Sequence, residues 1–257
     1  MGTTRTIDET ALLLRVNKQI DNLPSAYTEI EPGVKWGTYG QVYTPAYWKM
    51  QYLMHHEEND FTIKYELGSG ILEEVVACLL GGYGLKSEMG LLAYKRLKER
   101  NLIRPNTCYK SIHSALSESF IFDSKEVRYR FPNQKAKYIF MFLNRNDLRN
   151  VPLDNDLDFR NWLLSISGIG LKTASWITRN LLGSERVAII DIHIFRALGV
   201  MGFCTKKYDI QRDYLKLEEL FLNFCKHLKV QPSKMDALIW LQMKNSNKLA
   251  LKVSNNK

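Results

Sequence analysis

The chain has 257 residues, of which 45% are hydrophobic and 25% charged. That length and apolar share suffice to bury a full core, as one large domain or two lobes, and exclude a wholly disordered chain. The formal net charge of +9 favours a polyanionic partner, because lysines and arginines placed on phosphates release condensed counterions; charge alone also serves solubility.

Taken in chain order, residues 1–65 lack a helical period. The stretch EPGVKWGTYGQVYTPAYW is rich in Gly, Tyr, Trp and Pro, which predicts loop or a small sheet in an irregular extension whose aromatics pack onto the main domain. From Gly70 to Leu80, Ile71, Leu72, Val75, Val76, Leu79 and Leu80 recur at helical spacing around Glu73 and Glu74. The glycines of GGYG, Gly81 to Gly84, break that helix. Amphipathic helices follow over Ser87–Arg100, Thr107–Glu118, Gln134–Leu143 and Asp158–Ser165. RYRFPNQKAKYI, Arg128 to Ile139, is basic with interleaved aromatics, and its lysines read as a solvated helix face. Leu163, Leu164 and Ile166 close one helix, Gly168 and Gly170 form a tight hairpin, and a second helix runs from Leu171 to Leu182 before Gly183 ends it. Further helices are expected at Asp191–Leu198, Ile210–Leu228 and Ser233–Lys244, followed by a frayed tail. The organisation is therefore mainly α: an extension over 1–65, a helical domain over 66–245 with its hairpin at 163–182, and a tail over 246–257.

Chemistry concentrates between Leu163 and Phe195. Glycines in the hairpin permit close approach to the main chain, so amides from Ser167 to Leu171 are expected to point outward beside the positive end of the following helix. Such a site accepts phosphate without reading a base. Lys172 begins the second helix, and Asp191 follows the apolar run VAII nineteen residues later. A helix of about three turns and a loop can return the carboxylate to the amine, for catalysis or as a plain salt bridge. Trp176 lies one turn beyond Lys172, where it can border a ligand or join the core. GIGLKT also invites a P-loop reading, but a P-loop places lysine directly after its last glycine and Leu171 intervenes here.

GIGLKTA followed by AIIDIHI resembles the hairpin and aspartate motif of the helix-hairpin-helix DNA glycosylases with a Gly/Pro-rich loop, in particular their 8-oxoguanine branch of the compact type, without a large N-terminal β domain. Weaker correspondence at Leu72–Arg96 and Tyr129–Tyr138 extends the resemblance over Glu66 to Met243. It implies a two-lobed helical fold, with the N- and C-terminal segments in one lobe and the middle in the other. It implies a base-excision enzyme with lyase activity, acting on double-stranded DNA that carries a damaged base. Lys172 then matches the nucleophile and Asp191 the catalytic aspartate. Ser167, Gly168, Ile169, Gly170 and His193 face the DNA backbone. Gly82 and Tyr83 fall on the gap-filling loop, with Tyr83 the wedge; a capping turn with an exposed tyrosine is the plain alternative. In PSKMDALIW, Asp236 matches a base-reading residue and Trp240 a stacking aromatic. Attack requires a neutral amine, for which burial and the hairpin dipole are the expected means, while a carboxylate beside it acts in the opposite sense.

Cys78, Cys108, Cys204 and Cys225 form no C-x-x-C pair, so neither zinc nor an iron-sulfur cluster is expected, and no other cofactor is implied. MGTTRTIDET has no signal-peptide pattern, and no apolar run reaches the roughly 18 residues of a membrane span. The expectation is an intracellular, cytoplasmic and nucleoid-associated monomer with no membrane partner. Its activity is removal of 8-oxoguanine; the alternatives are excision of another modified base or a noncatalytic DNA-binding module.

Overall fold

A computed structural model describes residues 23–58, 67–82, 84–205 and 207–246, together with Leu14 and Lys18. The chain divides into two compact units, one combining Met1–Ile63 with Glu185–Lys257 and the other spanning Lys64–Ser184.

The unit of Lys64–Ser184 is a helical layer around one apolar core. Its helices are α2 (Ile71–Leu80), α3 (Ser87–Glu99), α4 (Tyr109–Ser117), α5 (Pro132–Leu143), α6 (Asp156–Leu164) and α7 (Leu171–Leu182). Two short strands, β3 (Phe120–Phe122) and β4 (Lys125–Val127), pair antiparallel between α4 and α5. α2 is central, packing against α3, α5 and α7, and Val75, Val76, Leu79 and Leu80 on it are fully buried. Glu73 and Glu74 in its first turn receive the amides that precede the helix. Glu74 Oε2 accepts from Leu67 at 2.7 Å and Gly68 at 3.0 Å, and Glu73 Oε2 from Ser69 at 2.7 Å. These carboxylates close the entrance of α2 and complement the positive end of its dipole.

The other unit holds a two-stranded sheet of β1 (Glu29–Glu31) and β2 (Val34–Lys35), then α1 (Pro45–Glu58), α8 (Ile192–Met201), α9 (Tyr214–Leu228) and α10 (Pro232–Asn245). α1 corrects the expectation of an irregular stretch up to residue 65. Its start carries a readable signal: Thr44 Oγ1 accepts from the Tyr47 amide at 3.2 Å, and Pro45 follows as the first helical residue. Aromatics obscure its period. Tyr43 stacks on Trp48 with centroids 5.6 Å apart, and both are buried. Polar bonds fasten this segment to the C-terminal helix, from Tyr47 Oη to Gln242 Oε1 at 2.8 Å and from Gln242 Nε2 to Gln51 Oε1 at 2.7 Å.

Elsewhere the periodic segments became helices with ends shifted by a few residues, and α7 spans the predicted Leu171–Leu182 with Gly183 left-handed at its close. The strand pair at Phe120–Val127 was not anticipated. Its turn, Asp123 and Ser124, adopts positive φ at both positions, as a two-residue hairpin requires.

Two predictions follow from these contacts. The Lys98 ammonium, with the Ser69 amide and the Tyr94 hydroxyl, holds the Glu73 carboxyl down at about 2, against an ordinary 4.5. A depressed carboxylate contributes stability that is complete above pH 4.5 and is lost as pH falls through 2. Glu73→Gln should therefore flatten the acid limb of thermal stability in that window, read by unfolding scans against pH. Gly168 adopts φ +93°, and a Cβ there would lie 2.5 Å from Tyr138 Cδ2. Gly168→Ala should cost about 1–3 kcal/mol from the backbone alone, with the ring contact added, as measured by denaturant unfolding.

Candidate active site and DNA-binding hairpin

The hairpin joins α6 to α7 within one unit. Arg145 braces the end of α6 by donating from Nη2 to Ser165 Oγ at 3.0 Å and from Nη1 to the Ser165 carbonyl at 3.3 Å. Asp147 orients that guanidinium and also accepts from Trp162 Nε1 at 2.8 Å. Past this brace, Ser167, Gly168 and Gly170 are exposed and Ile169 is buried. The Ile169 amide turns inward to the Ile166 carbonyl at 3.1 Å, which corrects the expectation that every amide from Ser167 to Leu171 faces outward.

The two glycines also differ. Only Gly168 needs a left-handed backbone; Gly170 is the N-cap of α7 at φ −104°, and a Cβ on it would meet nothing within 4 Å. Its value is the open space in front of it. No side chain caps this end of α7, so the helix presents its positive end without a built-in acceptor, the arrangement that suits an incoming phosphate.

Lys172 is the second residue of α7 and opens onto a pocket with a volume of ≈ 810 Å³. Trp176 lines it one turn along α7, Ala77 and Cys78 line it from α2, and Gly81, Gly82 and Gly84 form its rim. That volume lies in the range of pockets that enclose a small-molecule-sized group. The Lys172 side chain is exposed, contrary to the expectation of a buried amine, because α7 starts at the rim of the core and its buried face begins at Ala174. Trp176 is half-buried against the core. The same ring lines the pocket and packs against the core. Tyr83, expected as the wedge, lies outside the described residues.

Asp191 belongs to the other unit, where it caps α8: Oδ1 accepts from the His193 amide at 2.8 Å and the Ile194 amide at 3.0 Å. Its carboxylate is buried. The segment before it, Val187 to Ile190, is buried as well and pairs with no strand among the described residues. Backbone groups in such a place need side-chain partners. The Ala188 amide donates to Glu218 Oε1 at 3.0 Å, the Ile189 amide to Asp236 Oδ2 at 3.4 Å and the Ile190 amide to Tyr214 Oη at 3.2 Å; that hydroxyl donates in turn to the Ala188 carbonyl at 2.8 Å. Sequence reasoning missed Glu218 and Tyr214. The available signal was a buried apolar run too short for a paired strand, followed by a helix carrying polar residues on its inward face.

Asp236 is buried and so has a structural task besides the base-reading role expected of it. Trp240 is half-buried, with the Lys244 ammonium 4.5 Å from its ring centroid, and His193 is half-buried on the first turn of α8. In the first unit, the lysines of RYRFPNQKAKYI depart from the expected solvated face. Lys137 is exposed, but Lys135 is half-buried and donates to the Gly81 carbonyl at 2.9 Å. Burial pushes the Lys135 ammonium below its ordinary range.

Comparison with known proteins gives the family of the chain. Residues 55–230 match the family model Ogg-HhH, described as 8-oxoguanine DNA glycosylase. Over 153 residues the chain is 31% identical to an 8-oxoguanine DNA glycosylase/AP lyase of Sulfolobus acidocaldarius, covering 54% of this chain and 74% of that protein. A protein of the same description from Saccharolobus islandicus is 35% identical over 131 residues, covering 48% of this chain and 63% of its own length. In fold, the chain is similar to the crystal structure of a Methanocaldococcus jannaschii 8-oxoguanine glycosylase/lyase in complex with a 15mer DNA containing 8-oxoguanine. The TM-score is 0.51 at 21% identity, over 91% of this chain and 98% of that one. With a matched segment that takes in the hairpin, Lys172 and Asp191, the chain belongs to the helix-hairpin-helix family of 8-oxoguanine DNA glycosylases.

Proposed function

We propose that this protein is a bifunctional DNA glycosylase and AP lyase that excises 8-oxoguanine from duplex DNA, with Lys172 as nucleophile and Asp191 as the carboxylate that assists it. The observation that carries the reading is Lys172 on a pocket of ≈ 810 Å³, one turn from Trp176 and directly after an uncapped hairpin, in a chain of this family.

In this reading the hairpin from Ser167 to Gly170 holds a phosphate, His193 on α8 faces the DNA backbone, and the damaged nucleotide leaves the stack for the pocket. The Lys172 amine attacks C1′ of the sugar, and the bond to the base breaks with its electron pair going to the leaving base, which gains a proton. Loss of a proton from nitrogen and opening of the sugar ring leave an imine between Lys172 and C1′. Removal of a C2′ proton then expels the 3′ phosphate oxygen, and water releases the enzyme. Asp191 stabilises positive charge developing on the sugar and accepts a proton. Its two amide bonds within α8 supply the orientation this task needs. Since Lys172 is exposed in the free protein, the incoming DNA supplies the desolvation of the amine that the fold does not.

Asp236 is assigned to the Watson-Crick edge of the base and Trp240 to stacking, on the ring face that Lys244 leaves open. The net charge of +9 supports a duplex partner engaged by a monomer close to the DNA of the cell.

Lys172→Gln should bind a lesion duplex yet neither release base nor become covalently joined to it under borohydride, which reduces the imine. Wild-type protein that binds but never traps, with any lesion or abasic site, would instead identify a noncatalytic DNA-binding module. Asp191→Asn is a clean companion, because asparagine caps a helix about as well as aspartate while removing the charge. Excision should fall by about 10² or more in single turnover with the melting temperature little changed; unaltered turnover would take Asp191 out of the mechanism. Release of 8-oxoguanine, uracil and alkylated purines from otherwise identical duplexes tests the base.

A further inference from the structure

A glycine-rich segment lines the Lys172 pocket, and its own backbone holds it through the Gly81 amide on the Cys78 carbonyl at 3.2 Å and the Leu85 amide on the Gly82 carbonyl at 3.2 Å. Gly81, Gly82 and Gly84 all lie on it. It follows α2 directly, where the last carbonyls of a helix have no partner inside the helix. Three donors from a single distant segment reach carbonyls at the end of α2 and just beyond it. The Tyr129 hydroxyl donates to Leu80 at 2.6 Å, the Lys135 ammonium to Gly81 at 2.9 Å and the Arg130 guanidinium to Gly84 at 3.1 Å. Two of the three are cationic, and charged donors make the stronger bonds, more so where water is scarce. Lys135 meets that condition: it is half-buried, and a Cβ on Gly82 would sit 3.7 Å from its Nζ.

We infer that Lys135 and Arg130 are positioning residues for base extrusion, holding the Gly81 and Gly84 carbonyls in place where this edge of the pocket meets the opened duplex. The inference rests on the glycosylase reading and adds to it the part of the protein that carries the cost of unpairing. A soft turn yields when pushed against stacked bases, whereas one fixed at both ends by ammonium and guanidinium groups transmits the push. Both cations are already turned toward carbonyls of the protein, which distinguishes this role from that of a surface lysine or arginine waiting for a phosphate. Chemistry at C1′ lies elsewhere in the pocket. The clamp is therefore needed in proportion to how firmly the lesion is paired.

The test compares single-turnover excision, at saturating enzyme, of 8-oxoguanine paired with cytosine and of the same lesion placed opposite an abasic site, where no pairing must be broken. Lys135→Met keeps the aliphatic stem and removes the donor. It should slow excision of the paired lesion about tenfold or more, the size expected for loss of a charged hydrogen bond, and slow the unpaired one far less. Lys135→Arg should restore the paired rate. Arg130→Gln, an exposed position, should shift the ratio of the two rates in the same direction with the fold intact, and so decides the matter if Lys135→Met folds poorly. An unchanged ratio in these variants, whether both rates fall together or neither does, overturns the clamp. Wild-type protein that releases base from neither substrate overturns the glycosylase reading, and the clamp with it.

Discussion

Buried backbone that leaves regular secondary structure must still find hydrogen-bond partners, and each of the two units holds a segment built around that demand. In one unit the demand falls on the carbonyls after α2, answered by Tyr129, Arg130 and Lys135. In the other it falls on the amides of Ala188 to Ile190, answered by Glu218, Asp236 and Tyr214. The first segment lines the Lys172 pocket and the second runs into Asp191, the carboxylate assigned above to catalysis.

The same economy explains which parts of the fold were legible in the sequence. Helices with an apolar face, such as α2 and α7, announce themselves because burial imposes the period on the residues. The ends of α7 were also readable, since Gly170 and Gly183 mark backbone positions rather than packing choices. α1 was not, because its buried Ala46, Trp48, Met50 and Leu53 are interleaved with half-buried Tyr47 and Gln51 that bond to Gln242 of α10, and polar contacts across helices leave no periodic trace. The strands at Phe120–Val127 were too short to register; only their turn residues carry the signal.

For the site, residue types near one another in sequence were readable and long-range partnerships were not. Lys172, Trp176 and the hairpin glycines lie within one run of the chain, and the motif places them together. The bond from Lys135 to Gly81 spans 54 positions and that from the Ala188 amide to Glu218 spans 30, and nothing local to either partner specifies the other. Gly168 shows the limit from the opposite side. Its left-handed angle can be read from sequence, but its crowding by Tyr138 cannot, because that ring arrives from α5.

The exposure of Lys172 ties these observations to catalysis. An amine held in a dry cavity would have to be kept neutral at all times, at the expense of the unliganded protein. An exposed amine at the start of a helix is instead solvated until a duplex arrives and displaces the water. On the proposed mechanism specificity and reactivity become linked: only a nucleotide that enters the pocket would exclude solvent from the amine assigned to attack it. Extrusion of the base is the step on which that exclusion depends. On the proposed mechanism, the hydrogen bonds that Lys135 and Arg130 make to Gly81 and Gly84, from 54 and 46 positions away in sequence, would help decide whether the amine meets water or sugar.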